Sequence, residues 1–170
     1  MAPKRLLIVS LFILLASSAC EDSRADKAYV RGNYGKTVKE LQFLADNGEP
    51  RAQYDLGLMY DRGDGVAQSD ANAKHWYERA AEQGEPRAQY NLGLMYLNGQ
   101  GIPQDVVMAH YWISLSANRG DAHARDARDY VAEKMSIQQI AESKRLIDDY
   151  EEQAAKAKAC VFCNPANPSY

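Results

Sequence analysis

Apolar residues along the middle of the chain recur with the period of an α-helix. In PRAQYNLGLMYLN the apolar positions follow an i, i+4, i+7, i+8 spacing, at Ala88, Leu92, Met95 and Tyr96. In DANAKHWYERAAE they follow an i, i+3, i+4, i+7, i+8 spacing, at Ala73, Trp76, Tyr77, Ala80 and Ala81. Each stripe forms one apolar face of an amphipathic helix. The pattern therefore predicts two kinds of helix, here called helix A and helix B.

Both patterns occur twice, one after the other. Residues 51–86 and 87–122 align without a gap and are identical at 16 of 36 positions. The segments RAQYDLGLMY and RAQYNLGLMY, which open the two copies, differ only at Asp55 and Asn91. A repeat of this length is typical of stacked repeat folds. Each unit is predicted to consist of one helix A followed by one helix B.

Residues at the predicted helix ends support this division. Pro50 and Pro86 suit the first position of helix A, where the missing N–H costs nothing. Ser69 and Asp105 are suitable N-caps for helix B. Glycines follow the last apolar position of each helix, as they do where helices end.

Two glycines and two tryptophans recur inside the predicted helices. Gly57 and Gly93 lie within helix A, where glycine costs about 1 kcal/mol relative to alanine. Their recurrence predicts a close approach of helix B that leaves no room for a Cβ. Trp76 and Trp112 are predicted to fill the core between neighbouring hairpins, with stacking on a ligand as the alternative.

Modified half-units flank the two copies. In the half-unit before them, the tryptophan position holds Glu40, while an inner apolar stripe remains at Val38, Leu41, Leu44 and Ala45. After them, Arg128 and Asp129 replace a Leu-Gly pair, and a last helix runs to about residue 158. Its start has a Ser136–Gln139 capping box, and its predicted inward positions are Ile137, Ile140, Ala141, Ile147 and Tyr150. Polar outer faces of this kind are typical of terminal caps.

These motifs resemble the Sel-one-like repeat (SLR) family, which is related to the tetratricopeptide repeats. The family pattern corresponds here to AQYNLGLMYLNGQGIPQD, then AHYW, then Ala117 and Gly120, and the resemblance covers roughly residues 33 to 150. It implies an all-α fold, a short α-solenoid (an α/α superhelix) of antiparallel helix hairpins. Two full repeats with half-repeat caps would then occupy residues 33–158, including a C-terminal capping helix.

The first residues have the pattern of an export signal. Lys4 and Arg5 precede the apolar run Leu6–Leu15, and small residues follow. The run has about half of the roughly 20 residues that a membrane-spanning helix needs. We therefore predict that residues 1–19 are a signal peptide rather than a permanent membrane helix, followed by a polar linker at residues 20–32.

Cys20 follows this signal and allows two kinds of processing. Ser17 and Ala19 suit ordinary signal peptidase, whereas the sequence LLASSAC resembles a lipoprotein signal with lipidation at Cys20. Cysteine parity favours lipidation, because Cys160 and Cys163 can form a disulfide and leave Cys20 over. The expected location is the bacterial periplasm, with a possible lipid anchor in the membrane.

Charge and motifs exclude several classes of function. Removal of residues 1–19 takes Lys4 and Arg5 from the 20 basic residues, which leaves 18 against 23 acidic residues. An acidic chain is a poor binder of nucleic acid. His75, His110 and His123 follow no metal-ligand spacing, and no nucleophile or phosphate-loop motif is present. The sequence therefore predicts no catalytic residue, no metal and no cofactor.

The C-terminal segment 159–170 contains CVFC and a tail rich in proline and asparagine. Cys160 and Cys163 are predicted to form a disulfide, and a redox pair or half of a metal site are the alternatives. Cysteine-rich SLR proteins described as β-lactamase-like carry a Cys pair in each repeat. This chain has no Cys between residues 21 and 159, which weakens a hydrolase interpretation.

A solenoid offers an extended surface, and its stacked A helices are expected to line a concave face. The stripe of helix A opposite the core predicts a partner-binding set of eight residues: Arg51, Tyr54, Asp61, Arg62, Arg87, Tyr90, Leu97 and Asn98. The tyrosines could equally be core residues between repeats. The leading hypothesis is a non-enzymatic adaptor that binds a protein or peptide in the cell envelope. An exported enzyme (a CxxC thiol oxidoreductase or a cell-wall hydrolase) and a purely structural spacer are the alternatives.

Overall fold

The computed structural model describes residues 34–162, and it describes side chains from residue 38 to residue 157. This part of the chain contains seven α-helices and no strand: α1 (Tyr34–Asp46), α2 (Pro50–Arg62), α3 (Asp70–Glu82), α4 (Pro86–Asn98), α5 (Val106–Asn118), α6 (Ala122–Ala132) and α7 (Ile137–Phe162). The predicted all-α fold is confirmed. The signal peptide 1–19, Cys20, the linker 20–32 and the pairing of Cys160 with Cys163 lie outside the described residues and side chains.

The helices follow the predicted repeat. α2 and α4 are A helices, and α3 and α5 are the B helices of the same two units. Consecutive helices pack against each other from α1 to α6, as expected for a solenoid of antiparallel hairpins. α1 begins 36 residues before α3, and α3 begins 36 residues before α5. α1 is therefore a third B helix, the predicted half-repeat at the start of the array.

The predicted helix starts are confirmed. Pro50 and Pro86 occupy the first helical positions of α2 and α4. Ser69 and Asp105 cap α3 and α5, because their side chains accept backbone N–H groups of the first turn. These bonds satisfy donors that have no partner inside the helix.

Gly63 and Gly99 end the two A helices. Their φ angles are +77° and +69°, in the left-handed region that glycine adopts without steric cost. Their N–H groups donate to the carbonyl oxygens of Met59 and Met95, one helical turn earlier. The chain therefore turns sharply out of each A helix at the same position of the repeat.

The core lies between the helices. Leu56 and Leu92 of the A helices are fully buried, and Trp76 and Trp112 of the B helices are less than a tenth exposed. Trp76 packs in a cluster with apolar residues of α1 and α2. Trp112 belongs to the largest cluster, which joins α3, α4, α5 and α7. The two tryptophans fill the core between hairpins, as predicted.

Each of the two A helices has one buried glutamine that connects it to the B helix before it. Nε2 of Gln53 donates to the carbonyl oxygen of Ala45, and Nε2 of Gln89 donates to that of Ala81, both at 3.0 Å. Gln83 adds a second bond in the first unit, from its Nε2 to Oε1 of Gln53 at 2.7 Å. These polar contacts repeat with the helices and fix how the hairpins stack.

α6 is a third, altered A helix. Ala124 and Val131 remain buried and pack against α5. The two positions that carry Leu-Gly in α2 and α4 carry Arg128, which is half-buried, and Asp129, which is exposed. The side of α6 on which a helix B would pack is therefore polar, in agreement with its prediction as a cap.

α7 does not form a hairpin with α6 but packs against α5. His110 of α5 contacts Ser143, and Asn118 contacts Glu151. Both pairs are 33 residues apart in sequence, so the two helices run parallel. α7 thus covers the array from the side of the B helices.

Some predicted inward positions are wrong. Ile137 is 84% exposed and Ala141 is exposed, because α7 turns a different side, with Ser143 and Ile147, toward α5. Leu44 of α1 is 44% exposed, because no A helix covers that side of α1 in the described part of the chain.

The capping box at the start of α7 is confirmed. The N–H of Ser136 donates to Oε1 of Gln139 at 2.9 Å, and the N–H of Gln139 donates to Oγ of Ser136 at 3.2 Å. α7 continues to Phe162, beyond its predicted end near residue 158, and its 26 residues are twice the length of α1 to α5. Cys160 therefore lies on a helix.

Candidate protein-interaction face

The eight residues predicted to bind a partner follow one side of α2 and α4, and we call this surface the A-face. It consists of Arg51, Tyr54, Asp61 and Arg62 of α2 together with Arg87, Tyr90, Leu97 and Asn98 of α4. The three arginines and the asparagine are exposed, and the other four side chains are half-buried. The surface therefore combines groups that reach solvent with groups that also pack inside the array.

Tyr54 connects the two repeats on the A-face. Its ring lies 5.9 Å from the ring of Tyr77, and the guanidinium of Arg87 stands 4.6 Å from its centroid. Arg87 is held by an ion pair with Glu85, Nε to Oε1 at 3.0 Å. Burial raises the pKa of Tyr54, so its hydroxyl stays protonated at neutral pH. The result is a fixed aromatic and cationic pair at the junction of α2 and α4.

Asp61 lies in a polar junction at the other end of α2. It accepts hydrogen bonds from the hydroxyl of Tyr77 at 3.5 Å and from Nε2 of Gln100 at 3.0 Å. Gln100 also donates to Asp70 at 3.2 Å. Burial, and then the carboxylate of Asp61, raise the pKa of Tyr77. Asp61 therefore has a structural task, and its predicted contact with a partner remains a prediction.

The second repeat presents an apolar surface where the first is polar. Tyr90, Leu94 and Leu97 are half-buried and pack on a cluster that includes Ile113 of α5. Ala127 of α6 packs on the same cluster and extends the surface toward the end of the array. The tyrosines of the A-face are thus packed against the core and partly exposed at the same time.

Arg51, Arg62 and Asn98 are the A-face residues most available to a partner. All three are exposed, and within the described residues none makes a side-chain hydrogen bond or ion pair. Arginine and tyrosine are among the residue types that dominate binding energy at protein interfaces. The A-face offers both types in fixed positions.

A buried histidine was not predicted to have a role. Nδ1 of His110 lies 2.8 Å from Oγ of Ser143 and 3.5 Å from Oγ of Ser114, and all three residues are buried. Burial, with help from the charges of Arg128 and Lys144, lowers the pKa of His110. The contact of His110 with Ser143 joins α7 to α5. The repeat contains no signal for it, because the equivalent residue in α3 is a lysine.

A shallow cleft of about 280 Å³ lies between the C-terminal end of α5 and the neighbouring part of α7. It is lined by Leu115, Asn118, Arg119, Tyr150, Glu151, Ala154 and Ala155. Tyr150 also donates to the carbonyl oxygen of Glu82 at 3.3 Å, so α7 touches the end of α3 as well. No pattern in the sequence indicates this cleft, because its walls come from helices that the repeat does not pair.

Among the side chains that the structure describes, those of residues 38–157, no group of three His, Cys, Asp or Glu is placed to hold a metal ion. The helices of this range include none that is both long and apolar enough to cross a bilayer. His75 and His123 are exposed, and His75 lies edge-on against Trp76. The absence of catalytic residues and cofactors remains a prediction.

Comparison with known proteins identifies the repeat. The Sel1 repeat pattern matches residues 50–85 and 86–121, which contain the α2–α3 and α4–α5 hairpins. No curated protein matches the sequence. Sel1 repeats typically form non-catalytic scaffolds for protein–protein interaction.

Two solved structures are similar over most of the chain. One is a protective antigen of uropathogenic Escherichia coli that displays an SLR fold, with 27% identity over 91% of this chain and a TM-score of 0.69. Another is a Sel1 repeat protein from Oxalobacter formigenes, with 28% identity over 86% of this chain and a TM-score of 0.62. The chain covers 36% of the first protein and 62% of the second.

The 36-residue period of the hairpins, the similar caps of the two units and the similarity to these solved structures all indicate the same kind of repeat. The chain contains two Sel1 repeats, at residues 50–85 and 86–121, in a short α-solenoid.

Proposed function

We propose that this protein is a non-enzymatic adaptor of the bacterial cell envelope that binds a segment of a partner protein on the A-face, the concave side of the array. The observation that supports this most directly is the position of Tyr54, held between Tyr77 and Arg87 across the repeat junction. Side chains fixed before binding lose little entropy when a partner arrives.

The two halves of the A-face favour a partner segment with two kinds of side chain. Around α2, the exposed Arg51 and Arg62 offer guanidinium groups to carboxylates or backbone carbonyls. Around α4, the half-exposed Tyr90 and Leu97 offer apolar contact. A segment with acidic residues at one end and apolar residues at the other matches this division.

Export and anchoring form part of the proposal. They rest on the signal pattern of residues 1–19 and on the spare Cys20. Mass spectrometry of the N-terminal peptide, taken separately from the native membrane and periplasmic fractions, tests this directly. A diacylated Cys20 supports anchoring, and an unmodified N-terminus at residue 20 supports release into the periplasm. An intact Met1 contradicts cleavage of a signal peptide.

Arginine substitutions test the A-face without disturbing the core. A photo-crosslinking amino acid at Asn98 captures the partner in intact cells, and mass spectrometry identifies it. We expect Arg51→Glu combined with Arg62→Glu to reduce this crosslink at least tenfold. Arg145→Glu is a matched control, because Arg145 is also exposed but lies on α7. An unchanged crosslink in the double variant would place the binding site elsewhere.

A further inference from the structure

α7 is attached to the array by few buried side chains. Among the side chains of α7 that the structure describes, only those of Ser143 and Ile147 are buried. Leu146 and Tyr150 are partly buried and pack against the same cluster as Ile147. In α5, by contrast, every residue from 109 to 117 is buried. The attachment of α7 to α5 therefore depends on a small number of contacts.

One of these contacts is the buried polar pair of His110 and Ser143. Nδ1 of His110 lies 2.8 Å from Oγ of Ser143, and the two residues are 5% and 0% exposed. Oγ of Ser114 lies 3.5 Å from the same nitrogen. A neutral imidazole nitrogen and a hydroxyl can exchange the roles of donor and acceptor, so the pair is satisfied without a charge. The contact thus suits a neutral ring.

The charged groups around His110 oppose a second proton on its ring. Arg128 of α6 and Lys144 of α7 have the strongest effect of these charges, and both are positive. Asp129 of α6 acts in the opposite sense but more weakly, and it already pairs with Arg128 at 2.8 Å. α4, which also packs against α5, has one charged side chain, Arg87, and that side chain is paired with a glutamate. Burial, and then the two positive charges, lower the pKa of His110 while α7 is in place.

α7 also covers apolar residues of α5 near this pair. The ring of Tyr150 lies edge-on against the ring of Tyr111, with centroids 6.4 Å apart, and Tyr150 and Leu115 line the same cleft. Tyr111 and Leu115 are 9% and 2% exposed. Movement of α7 away from α5 would therefore expose both side chains on the side of the B helices.

We propose that α7 is an acid-released cover of the B helices: protonation of His110 detaches α7 from α5 and exposes the apolar surface around Tyr111 and Leu115. A protonated ring places a further positive charge among α5, α6 and α7, where Arg128 and Lys144 already stand. This regulation does not depend on the A-face, because α7 packs on the side of the B helices.

The pH range of release follows from the two environments of His110. When α7 is detached, the ring is in contact with water and takes up a proton near its ordinary pKa of 6.5. When α7 is in place, the ring resists that proton. Release is therefore favoured as the pH falls below about 6.5, and a single titrating group shifts the equilibrium by at most about tenfold per pH unit.

Amide hydrogen exchange of the full chain, followed by mass spectrometry, measures this release. A helix without its packing partner is only marginally stable in water, so the amides of residues 140–157 exchange when α7 detaches. We expect their protection, corrected for the chemical exchange rate, to fall about threefold to tenfold between pH 7.5 and pH 5.5. Unchanged protection of α7 at pH 5.5 would overturn the proposal.

Sensitivity to urea separates local release from unfolding of the whole array. Detachment of α7 exposes little surface, so its exchange at pH 5.5 should change little in about 1 M urea. The amides of residues 88–98 in α4 should be better protected and should lose protection in urea. If α7 and α4 show equal protection and equal urea dependence, α7 leaves only when the array unfolds, which would also refute release.

Two variants test whether His110 is the group that responds. His110→Gln should remove the pH dependence of α7 exchange, and a fall equal to that of the natural protein would refute the assignment. Lys144→Glu places a negative charge near the ring and should make the fall at least twofold smaller, even if His110→Gln loosens α7 at both pH values. Lys39→Glu makes the same charge change at an exposed position of α1 and should leave the fall unchanged. An equal effect of Lys39→Glu and Lys144→Glu would contradict a local charge effect at His110.

Discussion

Gly93 of an A helix lies directly against Ile113 of the B helix that follows it, with no room for a side chain between them. A Cβ at position 93 would stand 2.5 Å from Cγ1 of Ile113 and 3.1 Å from the carbonyl oxygen of Ala109. Gly57 has the same role in the first unit, where a Cβ would stand 2.7 Å from the ring of Tyr77. The recurrent glycines thus set the distance between the helices, which explains their presence inside helix A.

Gly93→Ala should lower the free energy of unfolding by about 1 to 2 kcal/mol. Overpacking costs about 1 to 3 kcal/mol, and a clash with backbone falls in the upper part of that range, about 2 to 3 kcal/mol. The better helix propensity of alanine returns about 1 kcal/mol. The backbone oxygen of Ala109 cannot move aside as a flexible side chain could. Urea unfolding followed by circular dichroism measures the difference. Gln138→Ala, at an exposed position of α7, is the control, and equal stability of the two variants would contradict the close contact.

The two buried glutamines should tolerate replacement differently. Gln53→Met removes the bonds to Ala45 and from Gln83 and should cost about 1 to 3 kcal/mol. Gln89→Met removes one bond, but it also removes an Oε1 that is buried without a partner among the described residues. We therefore expect Gln89→Met to cost about 1 kcal/mol less than Gln53→Met. Urea unfolding of both variants tests this order, and the reverse order would rule out the unpaired oxygen as the cause.

The caps of the two B helices should also differ in strength. Oδ1 of Asp105 accepts the N–H groups of Val107 and Met108 at 2.9 and 3.0 Å, whereas Oγ of Ser69 accepts one N–H at 3.3 Å. Asp105→Ala should cost about 1 to 2 kcal/mol, and Ser69→Ala about 0.5 to 1 kcal/mol. Thermal unfolding measures the loss of stability in both variants. Asp149→Ala, at an exposed position of α7, is the control. A larger loss for Ser69→Ala would contradict this order.

Local signals in the sequence predicted most of the fold. Prolines, caps and glycines act within one turn of the helix that they start or end, so Pro50 and Ser69 could be assigned from their neighbours alone. The repeat added the long-range information, because a residue buried in one copy is expected to be buried in the other. Leu56 and Leu92 show this directly.

Contacts that occur once in the array could not be predicted in this way. The pairing of His110 with Ser143 joins residues 33 positions apart, and neither belongs to a repeated motif. The place of α7 on α5 therefore had no marker in the sequence, and the exposure of Ile137 follows from it. On the A-face, the sequence identified the stripe but not its division into a polar half near Asp61 and an apolar half near Leu97.

The stability of the protein should fall as the pH is lowered below about 6.5, and His110 should cause part of this loss. Burial, with Arg128 and Lys144 nearby, lowers the pKa of His110 in the folded protein below its ordinary value of 6.5. Above that pH the ring is neutral in both states and has no effect. Below it, the unfolded chain takes up a proton that the folded protein resists. The free energy of unfolding then decreases by at most about 1.4 kcal/mol per pH unit, until the folded pKa is reached.

Comparison with His110→Gln isolates this contribution. Glutamine keeps a polar group beside Ser143 but does not titrate, and all other titrating groups are shared by the two proteins. We expect the free energy of unfolding, measured with urea at pH 7.5 and 5.5, to decrease more in the natural protein than in the variant. Equal pH dependence of His110→Gln and the natural protein would mean that the α5–α7 contact accommodates a charged His110.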